Sequence, residues 1–250
     1  MILVFVALKA ESRPLRVRLS DRGVLLDSGF SGERGQIAGV QVALVTTGMG
    51  MRRSRISSGR AMDSLPGIDF VLISGVAGGL RDDLTVGQVV LSERLLTCRD
   101  DDFQPEKMVY PPTQWINRFV GALEDSEIPY ALGPMMTSRY PLTTRADKQR
   151  AYSQSGGAIS VDMESAAIAF EAKRRGLPFA CIRTILDTAG DDVVGARLID
   201  QNGHVRRLAA VKALITNPRM VIGVAHLLRN LRLATRSMAL ALEAVLPCLQ

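Results

Sequence analysis

Apolar runs short enough to be strands recur along this 250-residue chain, at Ile2–Leu8, Val40–Thr46, Phe70–Ile73, Val89–Leu91, Ala158–Val161 and Phe179–Leu186. Between several of them lie stretches with helical spacing, at Arg53–Leu65, Thr113–Asp125 and Met163–Arg175. Strands that are apolar throughout, instead of alternating, are buried on both faces, as parallel strands covered by helices are. The alternation therefore predicts an α/β fold: a three-layer sandwich with a mixed, mostly parallel central sheet. At 47% hydrophobic residues the chain can build one substantial core, and residues 1–250 are read as a single domain. No internal repeat or low-complexity segment interrupts it.

Several function classes are disfavoured by what the chain lacks. The three cysteines, Cys98, Cys181 and Cys248, are odd in number and widely spaced, so neither a disulfide framework nor a Cys-x-x-Cys metal site is expected. His204 and His226 are the only histidines, too few for a His-rich zinc site, and neither a metal nor a cofactor is predicted. No apolar run reaches the roughly 18 residues of a membrane span, and Met1–Leu8 has no basic leader, so a cytoplasmic protein is expected. The net charge is +6, and residues 201–250 alone hold seven basic residues against Glu243. That segment contains no Phe, Tyr or Trp on which bases could stack, so nucleic acid is not the expected partner.

The chemistry-bearing stretch is Ile159-Ser160-Val161-Asp162-Met163-Glu164-Ser165-Ala166-Ala167-Ile168-Ala169, which sets two carboxylates at the mouth of a helix of small apolar residues. Glu164 is predicted in the first turn, ionised beside unpaired helix N–H groups and able to accept hydroxyl protons. A charge that merely offsets the helix dipole is the competing reading. Downstream, the run Phe179–Leu186 delivers Asp187 to the carboxyl end of a buried strand, where α/β sheets bind ligands. Gly48-Met49-Gly50 and Gly75-Val76-Ala77-Gly78-Gly79 each follow a strand and are read as tight turns open to a ligand. The first does not complete a Gly-x-Gly-x-x-Gly dinucleotide pattern, because Arg53 stands in the third glycine's place. Residues 97–113, with Asp100-Asp101-Asp102 and three prolines, are read as a long polar loop.

Taken in order, Ala7-Leu8-Lys9-Ala10-Glu11, Gly48-Met49-Gly50, Ser74–Leu80 followed by Val86–Val90, Val161–Glu164, and Arg183 with Asp187 resemble the nucleosidase and phosphorylase superfamily. That superfamily includes methylthioadenosine/S-adenosylhomocysteine nucleosidases and purine nucleoside phosphorylases. The likeness runs from residue 1 to about residue 192. It implies cleavage of the N-glycosidic bond between ribose and a purine, a reaction that makes the sugar resemble an oxocarbenium ion and needs an acid for the leaving base. By resemblance, Asp187 protonates the purine, Glu164 grips the ribose hydroxyls with Met163 packed on the sugar, and Glu11 activates water. Arg183 matches an arginine near the nucleophile site, and Val76, Ala77 and Gly78 match substrate-contacting positions. A homo-oligomer is also implied.

Departures from the family pattern bear on the nucleophile. The phosphorylase branch carries an arginine and a serine where this chain has Ile73 and Val76, which favours water over phosphate. The nucleosidase branch commonly has serines where Val76 and Leu186 stand, and Arg52, Arg53 or Arg55 could still supply an anion site, so both nucleophiles remain open. From Val205 onward the sequence reads as a basic pair of amphipathic helices broken at Asn217-Pro218, a C-terminal extension over 201–250. In this it is similar to the hopanoid-associated members that remove adenine from adenosylhopane. That similarity implies a lipid-tailed purine nucleoside as substrate, in hopanoid biosynthesis, and peripheral contact of 201–250 with an anionic inner-membrane surface. Completing the core or a subunit interface is the other reading of these helices. A non-catalytic nucleoside-binding module is the competing class, and the joint presence of Glu11, Glu164 and Asp187 weighs against it.

Overall fold

The structure, a computed structural model, describes residues 1–27, 29–100, 102–193 and 218–250. Its centre is four parallel strands in the order β4 (Val40–Thr46), β1 (Ile2–Val6), β5 (Phe70–Gly79) and β10 (Phe179–Asp187). The apolar runs that announced these strands split by residue parity. Val4, Leu44, Leu72 and Ile182 enter one core layer, while Phe5, Val45, Ile73 and Cys181 enter the other. The first layer is covered by α1 (Lys9–Arg18), α3 (Thr113–Asp125) and α6 (Pro218–Val245), and the second by α2 (Met51–Ser64) and α5 (Ser165–Arg174). This is the three-layer α/β arrangement expected, with a mixed sheet.

The sheet also closes on itself. Strand β10 pairs antiparallel with β6 (Val89–Cys98), β6 pairs parallel with β8 (Tyr130–Thr137), β8 with β9 (Ser160–Asp162), and β9 returns antiparallel to β5. Five strands thus form a ring through β5, and the ends of β5, β9 and β10 meet there. Opposite, β4 continues into the antiparallel hairpin of β2 (Ser20–Asp27) and β3 (Phe30–Ile37).

Four expectations change. Residues 97–113 are not a loop throughout, because β7 (Pro105–Val109) pairs with β6 as an edge strand whose exposed Glu106 and Lys107 gave it a polar look. The glycine-rich Gly75–Gly79 lies within β5 instead of turning away after Ile73. A Cβ at Gly75 would lie 2.4 Å from Arg183 Nη1 and 2.8 Å from Glu11 Oε1, and one at Gly78 would crowd Asp187 and Val161. Helix α5 starts at Ser165, so Glu164 is its N-cap and not part of its first turn. The C-terminal segment is more than an appendage: Met238, Ala239, Leu242 and Val245 of α6 are fully buried against β1, β4, β5 and β10. The first of the two expected tail helices lies outside the described residues.

Gly75 also has φ +139°, in the region that disfavours side chains. Gly75→Ala should therefore cost about 3 kcal/mol, through overpacking and backbone strain, and lower Tm by roughly 6 °C or more. Thermal unfolding followed by circular dichroism checks this, and an unchanged Tm would contradict the crowding.

Candidate active site

Each carboxyl of the site is positioned by local structure. Glu11 stands at the third position of α1 and accepts from the N–H groups of Ala7 (2.8 Å) and Leu8 (2.7 Å), closing the turn between β1 and the helix. Its other oxygen accepts from Val76 N–H of β5 at 2.9 Å, which ties the start of α1 to the sheet. Asp162 ends β9 and caps α5, with Oδ2 accepting from Ser165 N–H at 2.9 Å. Thr137 Oγ1 donates to Asp162 Oδ1 at 2.7 Å and accepts from Ala166 N–H at 2.9 Å. Glu164 does not use the N–H groups of its own helix: Oε1 accepts from Gly50 N–H, the N-cap of α2, at 2.7 Å. Gly48 and Gly50 do form the expected turn, with φ of +82° and +94°.

One buried cation binds this group together. Arg183, 1% exposed on β10, places Nη2 2.6 Å from Asp162 and 3.6 Å from Glu164. Its Nε donates to Ser165 Oγ at 3.0 Å, its Nη1 to Val76 O at 3.2 Å, and Glu11 lies within electrostatic reach. A single guanidinium cannot balance three buried carboxylates. Burial pushes the Glu164 carboxyl up to about 8, with Arg183 opposing the shift and Asp162 adding to it. Burial raises the Glu11 carboxyl too, against Arg183 and its three backbone donors. Glu164 differs from the expectation in what holds it, since it is held by Gly50 N–H and Arg183 and not by the N–H groups of its own helix, and burial works against its ionised form.

Asp187 reaches the same cavity by a different device. Ile185 pairs with Ala77 and Asp187 with Gly78, so Leu186 is bulged out of the ladder and Asp187 is turned toward the ligand space. Val161 pairs with Gly78 from the other side, so Asp187 and the start of the Val161–Glu164 turn flank one residue: a Cβ on Gly78 would lie 3.3 Å from both Asp187 Oδ1 and Val161 Cγ1. Burial raises the Asp187 carboxyl above its usual value, opposed by an ion pair with Lys148.

The cavity is lined by Glu11, Asp162, Met163, Glu164 and Asp187, by Val76, Ala77 and Gly78 of β5, and by an apolar wall of Leu8, Met49, Tyr140, Pro141, Leu142 and Leu227. Of the positions expected to act on or touch substrate, Glu11, Val76, Ala77, Gly78, Met163, Glu164 and Asp187 meet in one place, whereas Arg183, expected with them, lies beneath the acids instead of lining the space. Ile73 is core, and Arg55 turns away to Glu171 at 3.5 Å. Among the described residues no arginine or lysine lines the cavity, and none groups His, Cys, Asp and Glu as a metal site would.

Lys148 went unnoticed in the sequence because α4 (Arg145–Gln154) is polar, burying only Lys148 and Ala151. The signal that marks this helix is Thr144-x-x-Asp147, a capping pair in which Thr144 Oγ1 accepts from Asp147 N–H at 3.1 Å.

The phosphorylase superfamily model matches residues 4–216, and this chain belongs to that superfamily. The 5'-methylthioadenosine/S-adenosylhomocysteine nucleosidase of Tolumonas auensis is 27% identical over 201 residues, covering 74% of this chain and 85% of that protein. The fold is shared with the adenine complex of the corresponding Colwellia psychrerythraea nucleosidase, with a TM-score of 0.79, 20% identity, and 99% and 95% of the two chains covered. It is also shared with the futalosine hydrolase of Helicobacter pylori, with a TM-score of 0.77, 19% identity, and 98% and 97% covered.

Because Glu164 holds its proton more tightly when folded than when unfolded, its contribution to stability is full below the unfolded carboxyl range. It is lost as pH rises toward 8. Tm should fall between about pH 5 and pH 8, and Glu164→Gln should flatten that fall. Calorimetry across that range tests this; an equally steep fall in the variant would contradict it.

Proposed function

We propose that this protein is a nucleosidase that hydrolyses the N-glycosidic bond of a 5'-substituted adenosine. The observation that carries this reading is one cavity holding Glu11, Glu164 and Asp187 together with Val76, Ala77 and Gly78 of β5. Cleavage of an N-glycosidic bond is the chemistry of the relatives' named activity, and Ile73 and Val76, standing where the phosphorylase branch carries an arginine and a serine, favour water over phosphate as nucleophile. In this reading Asp187 delivers a proton to the purine as the C1'–N9 bond breaks and its electron pair leaves with the base. Water adds to C1' and gives a proton to Glu11, whose raised affinity suits a general base. Glu164 accepts from the ribose hydroxyls and Met163 packs on the ring. The cationic sugar of the transition state supplies the positive charge that Glu11, Asp162 and Glu164 lack in the resting site, so the acids bind the transition state better than the substrate.

The apolar wall of Leu8, Met49, Tyr140, Pro141, Leu142 and Leu227 supports an apolar 5' substituent. Adenosylhopane, cleaved to adenine and ribosylhopane, is the substrate the sequence resemblance suggests; methylthioadenosine and S-adenosylhomocysteine need the same catalytic groups. Homo-oligomerisation belongs to this reading, with a second copy narrowing the mouth. Incubation with adenosine, methylthioadenosine and adenosylhopane, each with and without phosphate, should release adenine without phosphate and fastest from the nucleoside with the largest apolar tail. Formation of a ribose 1-phosphate only when phosphate is present would replace hydrolysis by phosphorolysis. Asp187→Asn should slow release by about 100-fold or more, and an unchanged rate would remove Asp187 from the acid's role.

Peripheral membrane contact is the second part of the proposal. No helix among the described residues is long and apolar enough to cross a membrane. On α6, however, exposed Leu228, Leu233 and Leu240 alternate with exposed Arg229, Arg232 and Arg236. Binding to vesicles containing anionic lipid should weaken as salt screens the arginines, and Leu228→Ser with Leu233→Ser should abolish it without lowering Tm. Salt-independent binding, or none by the wild-type chain, would refute it.

A further inference from the structure

Lys148 is fully buried, yet the chemistry assigned to the cavity does not use it. Its ammonium contacts Asp187 Oδ1 in a short ion pair and donates to Thr188 O at 2.7 Å and Asp191 O at 3.1 Å, so all three N–H donors are taken. Burying a lysine is costly, and three acceptors converging on it are what make it tolerable. The acceptors belong to the end of β10 and the turn after it. That turn is itself closed by Asp191 Oδ2, which accepts from Thr188 N–H at 2.8 Å and Thr188 Oγ1 at 2.9 Å. Helix α4 is tied to the same segment through Arg145 N–H to Asp192 Oδ1 at 2.8 Å and Val193 N–H to Thr143 O at 2.8 Å. Leu186, beside the acid, offers it no polar support.

We propose that Lys148 is a positioning residue that fixes one oxygen of Asp187 and so presents the other, Oδ2, to the leaving purine. This rests on the nucleosidase reading. A carboxyl at the end of a bulged strand is free to rotate about its own side chain; one oxygen clamped by a fully satisfied ammonium is not. Proton delivery to the base depends on that orientation, since a misplacement of about 1 Å costs on the order of 100-fold in rate. Lys148 also tunes the proton itself. The charged groups facing Asp187 are Lys148 from α4 and Asp191 from the following turn, with His226 of α6 near Asp191. From β5 the neighbour is Gly78, which carries no charge. A cation favours the carboxylate, so removing Lys148 makes Asp187 hold its proton to higher pH.

The experiment measures adenine release from methylthioadenosine against pH for wild type, Lys148→Met and Lys148→Arg, with Tm for each. Lys148→Met should lower plateau kcat by about 100-fold with little change in KM, and should move the descending alkaline limb upward. Lys148→Arg, which keeps the charge on a different fork, should return the limb to the wild-type position with only part of kcat. A purely structural lysine would change Tm and leave the limb and the kcat of the folded fraction alone, and that result overturns the proposal. Should Lys148→Met not fold, Lys148→Gln removes the charge while keeping a donor and is judged on the same limb. Carbon-13 titration of the Asp187 carboxyl, assigned with Asp187→Asn, should move upward in the uncharged variants independently of turnover. A wild-type chain that releases no adenine overturns the functional reading and the catalytic role together, whereas an unmoved titration in an active enzyme overturns the role of Lys148 alone.

Discussion

The interaction on which the rest of the site depends is the burial of one guanidinium, Arg183, among Asp162, Glu164 and Glu11. It joins β10 to the start of α5, to β5 through Val76 and, through Glu11, to the start of α1. Removing one partner from such a cluster typically costs about 3–5 kcal/mol, because the remaining charges stay buried without compensation. The same imbalance has a chemical use. A pocket with too few positive charges favours a reaction that creates one.

That cluster requires backbone where most proteins would put side chains. The missing Cβ of Gly75 is space taken by Arg183 and Glu11, and the missing Cβ of Gly78 is space taken by Asp187 and Val161. The bulge at Leu186 completes the arrangement by shifting the acid out of ladder register. Close approach of backbone is thus concentrated in the adjacent strands β5 and β10, while Glu11 and Leu227 reach the cavity from the surrounding helices.

How much of this could be read from the chain follows from where burial is two-sided. Strands β1, β4 and β10 and the starts of β5 and β6 were legible because their apolar runs enter both core layers. The hairpin β2–β3 and edge strand β7 were not, since exposed residues and glycines dilute their pattern. Strand β8 hid behind Gly133-Pro134, where Ile159 occupies the space of a Cβ and the register to β6 shifts. Helix α1 was masked by Pro14, and α4 by a buried face made of a lysine and an alanine. Glu11, Glu164 and Asp187 were found as an ordered set of motifs, since no local spacing links acids that far apart. Arg183 as hub and Lys148 as partner needed the three-dimensional pairing, because a buried cation leaves no periodic trace.

Helix α6 has a consequence for how the molecule comes into being. It follows every described strand in chain order, yet Met238, Leu242 and Val245 fill one face of the central sheet, Thr184 donates to Ala234 O at 2.9 Å, and Leu227 lines the cavity. On the ribosome, the sheet must therefore wait with that face open until α6 emerges, holding β1, β4, β5 and β10 in a partly collapsed state. The cavity shares this delay only at the wall that Leu227 supplies. Synthesis order thereby makes this one face of the sheet among the last parts of the molecule to be covered, and chaperone demand should concentrate in that interval.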